Sequence, residues 1–399
     1  METFDRAEAA QRAGTTADEL DRLVRLGFIT PEPDGRFTQG AVRRVAMVCT
    51  LAGAGVPIDG MGEAVRSGRF SLDFLDQPAF QRLSSFSGFT FQELAERTGV
   101  PVDMLLLIRE ASGFPAAQPE DRVRDEEMPH ADLLEVAVNA GLSRPGIERL
   151  LRVQSDSLRR MTETENAFWN AEVVGPAIAA GRRPDEVLGS ELANQMSVGL
   201  ERAIIAMYHL QQMHAWTKGI IEGLEAQLAS AGLHTRVDQP PAMCFLDITG
   251  YTRLTQERGD AAAADLAERL GRLVQKSSVK HGGRPVKWLG DGVMFHFPDP
   301  GKGVLAALEM VAGVTEAGLP PAHVGLHAGP VIFQEGDYYG QTVNMAARIA
   351  DYARPGEVLV SQAVVDASGG ASVAFREIGP VELKGVGGAT HLYAAGRPG

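Results

Sequence analysis

Four short segments near the C-terminus hold side chains able to do chemistry. In CFLDITGYT (244–252) an apolar strand runs into a glycine-containing turn, with Asp247 at the strand end. A carboxylate held beside free backbone N–H groups offers oxygen to a hard divalent cation and amides to phosphate within one turn. In VKWLGDGVMFHF (286–297), Gly290-Asp291 sits at the tip of a hairpin with apolar arms on either side. Two carboxylates meeting on adjacent strands repel unless they are protonated or bridged, so the pair suits one or two Mg2+ or Mn2+ ions. In GDYYGQTVNMAARI (336–349), Asn344 and Arg348 are four apart and share a helix face. An amide beside a guanidinium suits ribose and phosphate. ELKGVGG (382–388) places Lys384 ahead of flexible glycines, where a cation can reach a triphosphate. Each segment alone reads as a helix cap, a turn, a solvated polar pair or a surface lysine. It is their conjunction that points to a metal-bound nucleotide.

The elements that must position these groups follow from residue pattern. Met243 to Ile248 is a strand-like apolar run, 254–280 is helical, and Pro285 to Leu289 with Val293 to Phe297 form a hairpin. A helix (302–317), a strand (323–328), a helix (341–353) and a strand (357–361) follow. Alternating strands and helices predict one α/β domain with helices packed on a sheet.

At the four segments the chain resembles the class III adenylyl and guanylyl cyclases, over about residues 240–397. The resemblance implies that Asp247 and Asp291 bind two metals and that the backbone amides of Ile248, Thr249, Gly250, Tyr251 and Thr252 hold the β and γ phosphates. It implies that Lys287 and Asp337 read adenine, that Asn344 and Arg348 orient ribose and stabilise the transition state, and that Lys384 contacts the triphosphate. Lys287 can donate to adenine N1 and Asp337 can accept from the exocyclic amine, whereas guanine presents the reverse pattern. Two unpaired buried polar groups cost about 1–3 kcal/mol each, which favours ATP over GTP. The function expected from the resemblance is an adenylate cyclase that converts ATP to 3′,5′-cyclic AMP and pyrophosphate, with two Mg2+ or Mn2+ ions per active site. It also implies a homodimer in which opposite chains supply the metal-binding and base-reading residues of each site. Two features depart from the family: His323 stands where arginine is usual, and the loop from Pro330 to Asp337 is shorter than the usual dimerisation arm. A histidine there would give activity an acid-side optimum, and a flat profile between about pH 5.5 and 8 would refute that.

The front of the chain has a different texture. Of the 399 residues, 1–240 hold 24 basic and 35 acidic side chains, against 14 and 16 in 241–399. Residues 15–28 and 40–53 have helical spacing on either side of a turn at Asp34-Gly35, with Arg36-Phe37-Thr38 as its return arm. Helix, wing and helix resemble the winged head of MerR-type transcription regulators. Gly27-Phe28, Arg36-Phe37 and Ala54-Gly55 have counterparts at Gly113-Phe114, Arg122-Val123 and Ala140-Gly141, all at an offset of 86. The stretch 89–190 resembles the regulatory segment ahead of some soluble actinobacterial adenylyl cyclases. In 195–231, Ala206, Leu210, Met213, Thr217, Ile220 and Leu224 alternate four and three apart, as in a dimer seam or an amphipathic helix packed on its own domain. Pro240-Pro241 then marks a boundary.

The expected fold is therefore multidomain: a mainly α-helical regulatory region with a winged-helix-like start, then an α/β class III cyclase domain with a ferredoxin-like sheet. The domains expected are a MerR-like domain at 1–88, a helical regulatory domain at 89–194, a linker and dimerisation helix at 195–235, and the catalytic domain at 236–399. No signal-like start and no apolar run of membrane length is present, and Cys49 and Cys244 lie apart in apolar sequence. These features favour a cytoplasmic protein without a membrane partner. Residues 1–70 hold 9 basic and 10 acidic side chains and no lysine, which argues against DNA as a partner and for a regulatory ligand or dimer contact. The alternative function is a nucleotide-sensing transcription regulator with a catalytically weak cyclase-like domain.

Overall fold

The computed structural model describes residues 2–81, 85–234, 239–250, 257, 259–290, 292–369 and 372–398. The chain forms two compact units, Met1–Gly223 and Leu224–Gly399. In the first, β1 (Thr3–Phe4), α1 (Arg6–Arg12), α2 (Ala17–Arg25), β2 (Phe37–Thr38), α3 (Gln39–Gly53) and α4 (Ile58–Arg66) surround a core that includes Phe4, Leu20, Leu23, Val42 and Val45. Then β3 (Phe86–Thr90), α5 (Phe91–Thr98), α6 (Val102–Ala111), β4 (Arg122–Arg124), α7 (Met128–Asn139) and α8 (Arg144–Trp169) run in the same order around a second core with Phe91, Leu94, Leu105 and Leu134. The offset-86 glycines recur in role as well as in sequence. Gly27 and Gly113, and likewise Gly55 and Gly141, all follow helix ends at positive φ, where a side chain would strain the backbone.

The hairpin expected at Asp34-Gly35 is corrected in its partner. Arg36 still meets the segment before the turn, its carbonyl accepting from the Glu32 N–H at 2.8 Å, but Phe37 pairs with Phe4 and Thr38 with Thr3, so the strand itself returns to the N-terminus. The physical reason is burial, since Phe4 and Phe37 both enter the first core. Two short helices, α9 (Gly175–Ala179) and α10 (Pro184–Leu188), lead to the 40-residue α11 (Glu191–Ser230). Its Leu210, Met213 and Ile220 side chains are 67–70% exposed, which no packed single-domain face would show.

The second unit contains a seven-stranded sheet in the order β12-β13-β11-β8-β5-β7-β6. Its elements are β5 (Ala242–Ile248), α12 (Asp260–Lys280), β6 (Arg284–Leu289), β7 (Gly292–Phe297), α13 (Pro300–Glu316) and β8 (Ala322–Ala328). They continue with β9 (Ile332–Gln334), β10 (Asp337–Tyr339), α14 (Gln341–Tyr352), β11 (Val358–Ser361), α15 (Gln362–Ala367), β12 (Ala374–Glu382) and β13 (Ala389–Gly396). All neighbours pair antiparallel except β8 with β11. Side chains alternate along a strand. Ala242, Cys244 and Leu246 face one core with α12 and α13, while Met243 enters a second core with Met294, Tyr338 and Ala346, and Phe245 packs against it. By the same alternation Asp247 belongs to the Met243 face, which α14 covers. The segment read as a short loop before Asp337 is instead the hairpin β9–β10, closed by Glu335 and Gly336 at φ 56 and 80.

Candidate active site

Asp247 is held at the end of β5, paired with Gly292 on one side and with His323 on the other. Its side chain is 43% exposed, and Oδ2 lies 3.6 Å from His323 Nε2. The other ring nitrogen, Nδ1, is 3.2 Å from Thr249 Oγ1, so the histidine is wedged between strand end and turn. Across the ladder, a Cβ built on Gly292 would come within 3.3 Å of Asp247 Oδ1 and 3.2 Å of the Leu246 carbonyl. The carboxylate thus fills the space a side chain at 292 would need, and glycine keeps that space open for it.

The backbone around the turn is less available than its sequence implies. Thr249 N–H donates to the Pro321 carbonyl at 2.9 Å, and Ile248 pairs with Ala322 in the β5–β8 ladder. Gly250, exposed and at φ 78, continues the turn. Tyr251 and Thr252 lie outside the described residues, as does Asp291, whose neighbours Gly290 (φ 69) and Gly292 are described.

Lys287 and Asp337, fifty residues apart in sequence, form a direct ion pair and hydrogen bond between β6 and β10. Asp337 Oδ1 also accepts from the Tyr338 N–H at 2.8 Å. A cationic donor and an anionic acceptor therefore stand side by side. On α14, Asn344 is exposed and Arg348 donates to Asp351 Oδ2 at 2.8 Å. Lys384 is exposed in the turn from β12 to β13, ahead of Gly385 at φ 76.

Three neighbouring residues escaped the sequence reading. Arg284 Nη2 donates to the Tyr338 hydroxyl at 2.6 Å, and the Tyr338 ring stacks on His296 with centroids 4.4 Å apart. Only three-dimensional pairing reveals them, because 284, 296 and 338 match no spacing along the chain. His327 Nδ1 is 2.7 Å from Ser361 Oγ, and burial pushes the imidazolium below its ordinary range. The Cys244 thiol is fully buried and burial raises its pKa, so it is no nucleophile.

Among the described residues no three His, Cys, Asp or Glu side chains cluster to hold a metal. Asp247 contributes an exposed oxygen donor of the kind that hard cations take, in a cradle that glycine keeps clear. That chemistry fits a divalent ion. Also among the described residues, no helix is long and apolar enough to cross a membrane.

Residues 235–395 match the family model described as the adenylate and guanylate cyclase catalytic domain. The chain is 27% identical over 319 residues to the pH-sensitive adenylate cyclase MT1302 of Mycobacterium tuberculosis, covering 77% of each chain. It is 24% identical to an adenylate cyclase of Streptomyces coelicolor, over 70% of this chain and 71% of that one. Among solved structures, the adenylyl cyclase CyaB from P. aeruginosa aligns with 40% of this chain and 94% of its own, at 23% identity and a TM-score of 0.36. The C-terminal unit thus carries a cyclase catalytic domain, and a helical region precedes it.

Proposed function

We propose, from that cyclase domain, that the protein is an adenylate cyclase forming 3′,5′-cyclic AMP and pyrophosphate from ATP at a homodimer interface. The observation that carries the choice of base is the Lys287–Asp337 pair. Its ammonium can donate to adenine N1 and its carboxylate can accept from the exocyclic amine. Guanine offers a donor where the lysine sits and an acceptor where the aspartate sits.

In the reaction the ribose 3′ oxygen attacks the α-phosphorus in line, forming the O3′–P bond as the bond to pyrophosphate breaks, and the hydroxyl proton leaves to solvent. Divalent cations, Mg2+ or Mn2+, when bound supply acidification of the 3′ hydroxyl and neutralisation of phosphate charge. Asp247 and Asp291 would hold them. Asn344 orients the ribose and Arg348 meets charge developing on the α-phosphoryl group. The bond from Arg348 to Asp351 is an exposed i,i+3 pair, with side chains 44% and 64% accessible, and such pairs contribute only about 0–1 kcal/mol. Little opposes its transfer to phosphate. Lys384, and the turn amides at 248–252 that the strand ladder leaves available, with Gly250 foremost among those described, would grip the triphosphate.

Residues 1–223 are read as a regulatory region. The exposed apolar side chains of Leu210, Met213, Ile220 and Leu224 on α11 support self-association along that helix. Leu210→Glu combined with Ile220→Glu is expected to shift the protein toward monomer in sedimentation velocity and to lower activity in proportion. An unchanged dimer fraction would count against the helix as a seam.

The base assignment is tested by Asp337→Ala and Lys287→Met. Each is expected to raise KM for ATP about tenfold and to narrow the ATP over GTP preference by a similar factor, from about 1–3 kcal/mol per lost pairing. Preference unaltered in both variants would transfer base reading to other residues. Tight ATP binding by the wild-type protein without turnover would select the nucleotide-sensing alternative.

A further inference from the structure

We propose that Arg284, Tyr338 and His296 form a clasp that positions Asp337 and Lys287, and so sets how tightly and how selectively the site takes an adenine base. The inference rests on the reading of Lys287 and Asp337 as base contacts. These three are positioning residues, because they act through Asp337 and Lys287 and are assigned no contact with the nucleotide.

Asp337 opens a three-residue strand whose ladder partner is another three-residue strand, outside the seven-stranded sheet. A two-stranded hairpin of that length is marginal by itself. It needs an anchor. Tyr338, the next residue, supplies one: it is 6% exposed, sits in the core with Met243, Met294 and Ala346, and lies flat on His296 at an interplanar angle of 6°. Its hydroxyl accepts from Arg284, whose guanidinium also lies 5.5 Å from the Tyr338 ring centroid and 5.6 Å from that of Phe333. Phe333 is the ladder partner of Tyr338, so one cation spans both strands of the hairpin.

Arg284 and His296 are themselves paired across β6 and β7, which fixes the clasp to the main sheet. Three residues after Arg284 on the same strand, Lys287 reaches Asp337. Two side-chain links therefore join β6 to β10, and the two serve different ends. A base inserted between Lys287 and Asp337 opens one of them, and the Arg284–Tyr338 link is then what keeps Asp337 in place. Because Asp337 Oδ1 accepts from the Tyr338 amide, displacement of Tyr338 also turns the carboxylate.

Arg284→Met removes the donor and the cation. It is expected to raise KM for ATP about tenfold with kcat within about twofold, and to narrow the ATP over GTP preference. Tyr338→Phe, which keeps the ring and its stacking, is expected to move both quantities in the same direction by about threefold. Arg284→Lys should recover part of the Arg284→Met loss. Hydrogen exchange of the full chain supplies a readout free of turnover: amides of 332–339 should exchange about tenfold faster in Arg284→Met, while those of 322–328 keep the wild-type rate. Wild-type exchange at 332–339 in Arg284→Met overturns the clasp. Faster exchange with KM and preference unchanged overturns its positioning role. A wild-type protein that turns over neither ATP nor GTP overturns the base reading instead, and the exchange measurement still decides whether the clasp holds the hairpin.

Discussion

Asp247→Asn is expected to lower kcat for cyclic AMP formation by about a thousandfold or more, with folding preserved. An amide carries no net charge and binds hard cations poorly. Losing one carboxylate ligand removes several kcal/mol of transition-state stabilisation, and about 4 kcal/mol corresponds to a thousandfold. The fold should tolerate the change. Asparagine is nearly isosteric with aspartate, the side chain is 43% exposed, and β5 is fixed by its ladders to β7 and β8 and by the buried residues on both its faces. Steady-state turnover with Mn2+, alongside a circular dichroism melt, separates catalysis from folding. A loss smaller than about tenfold with an unchanged melt would mean that Asp247 holds no essential ion.

Gly325→Ala should be among the most damaging single methyl additions in the catalytic unit. Its Cβ would lie 2.1 Å from Ala350 N, 2.7 Å from the Ala346 carbonyl oxygen and 2.7 Å from Ala350 Cα. All three are backbone atoms of α14, so no rotamer change relieves the clash and the helix must lift from the sheet. Overpacking of this kind costs about 1–3 kcal/mol and sometimes more, which for a domain of this size lowers Tm by about 5 °C. Because α14 also carries Asn344 and Arg348, kcat should fall more than tenfold even where the protein stays folded. Gly396→Ala is the matched control, since a methyl there meets nothing within 4 Å and the backbone is unstrained. Equal melts and equal turnover in the two variants would contradict the close helix-to-sheet packing.

Much of this was legible in the chain itself, for identifiable reasons. The apolar run from Met243 to Ile248 predicts a buried strand, and β5 is one, with Asp247 continuing the Met243 face. The hairpin around Gly290 followed from apolar arms on either side of a Gly-Asp turn, and β6 and β7 pair as expected. The α/β alternation likewise gave the sheet with its helices. What could not be read was pairing at long range. Phe37 joins Phe4 rather than the residues before Asp34, because two aromatic side chains share one core. The hairpin β9–β10 reads as a loop in the sequence, since three-residue strands leave almost no periodicity and the burial of Tyr338 and its bond from Arg284 are long-range features. The engagement of the Thr249 amide is hidden for a related reason: its partner, Pro321, is more than seventy positions away. The mutual engagement of Lys287 and Asp337 is equally hidden in a chain that sets them fifty residues apart.

The most direct test of the account is product analysis of the purified full-length protein incubated with ATP and Mn2+, followed by 31P NMR and mass spectrometry. The expected result is 3′,5′-cyclic AMP and pyrophosphate in equal amounts, with GTP consumed at least tenfold more slowly. Release of ADP and orthophosphate, or bound ATP recovered intact, would contradict it.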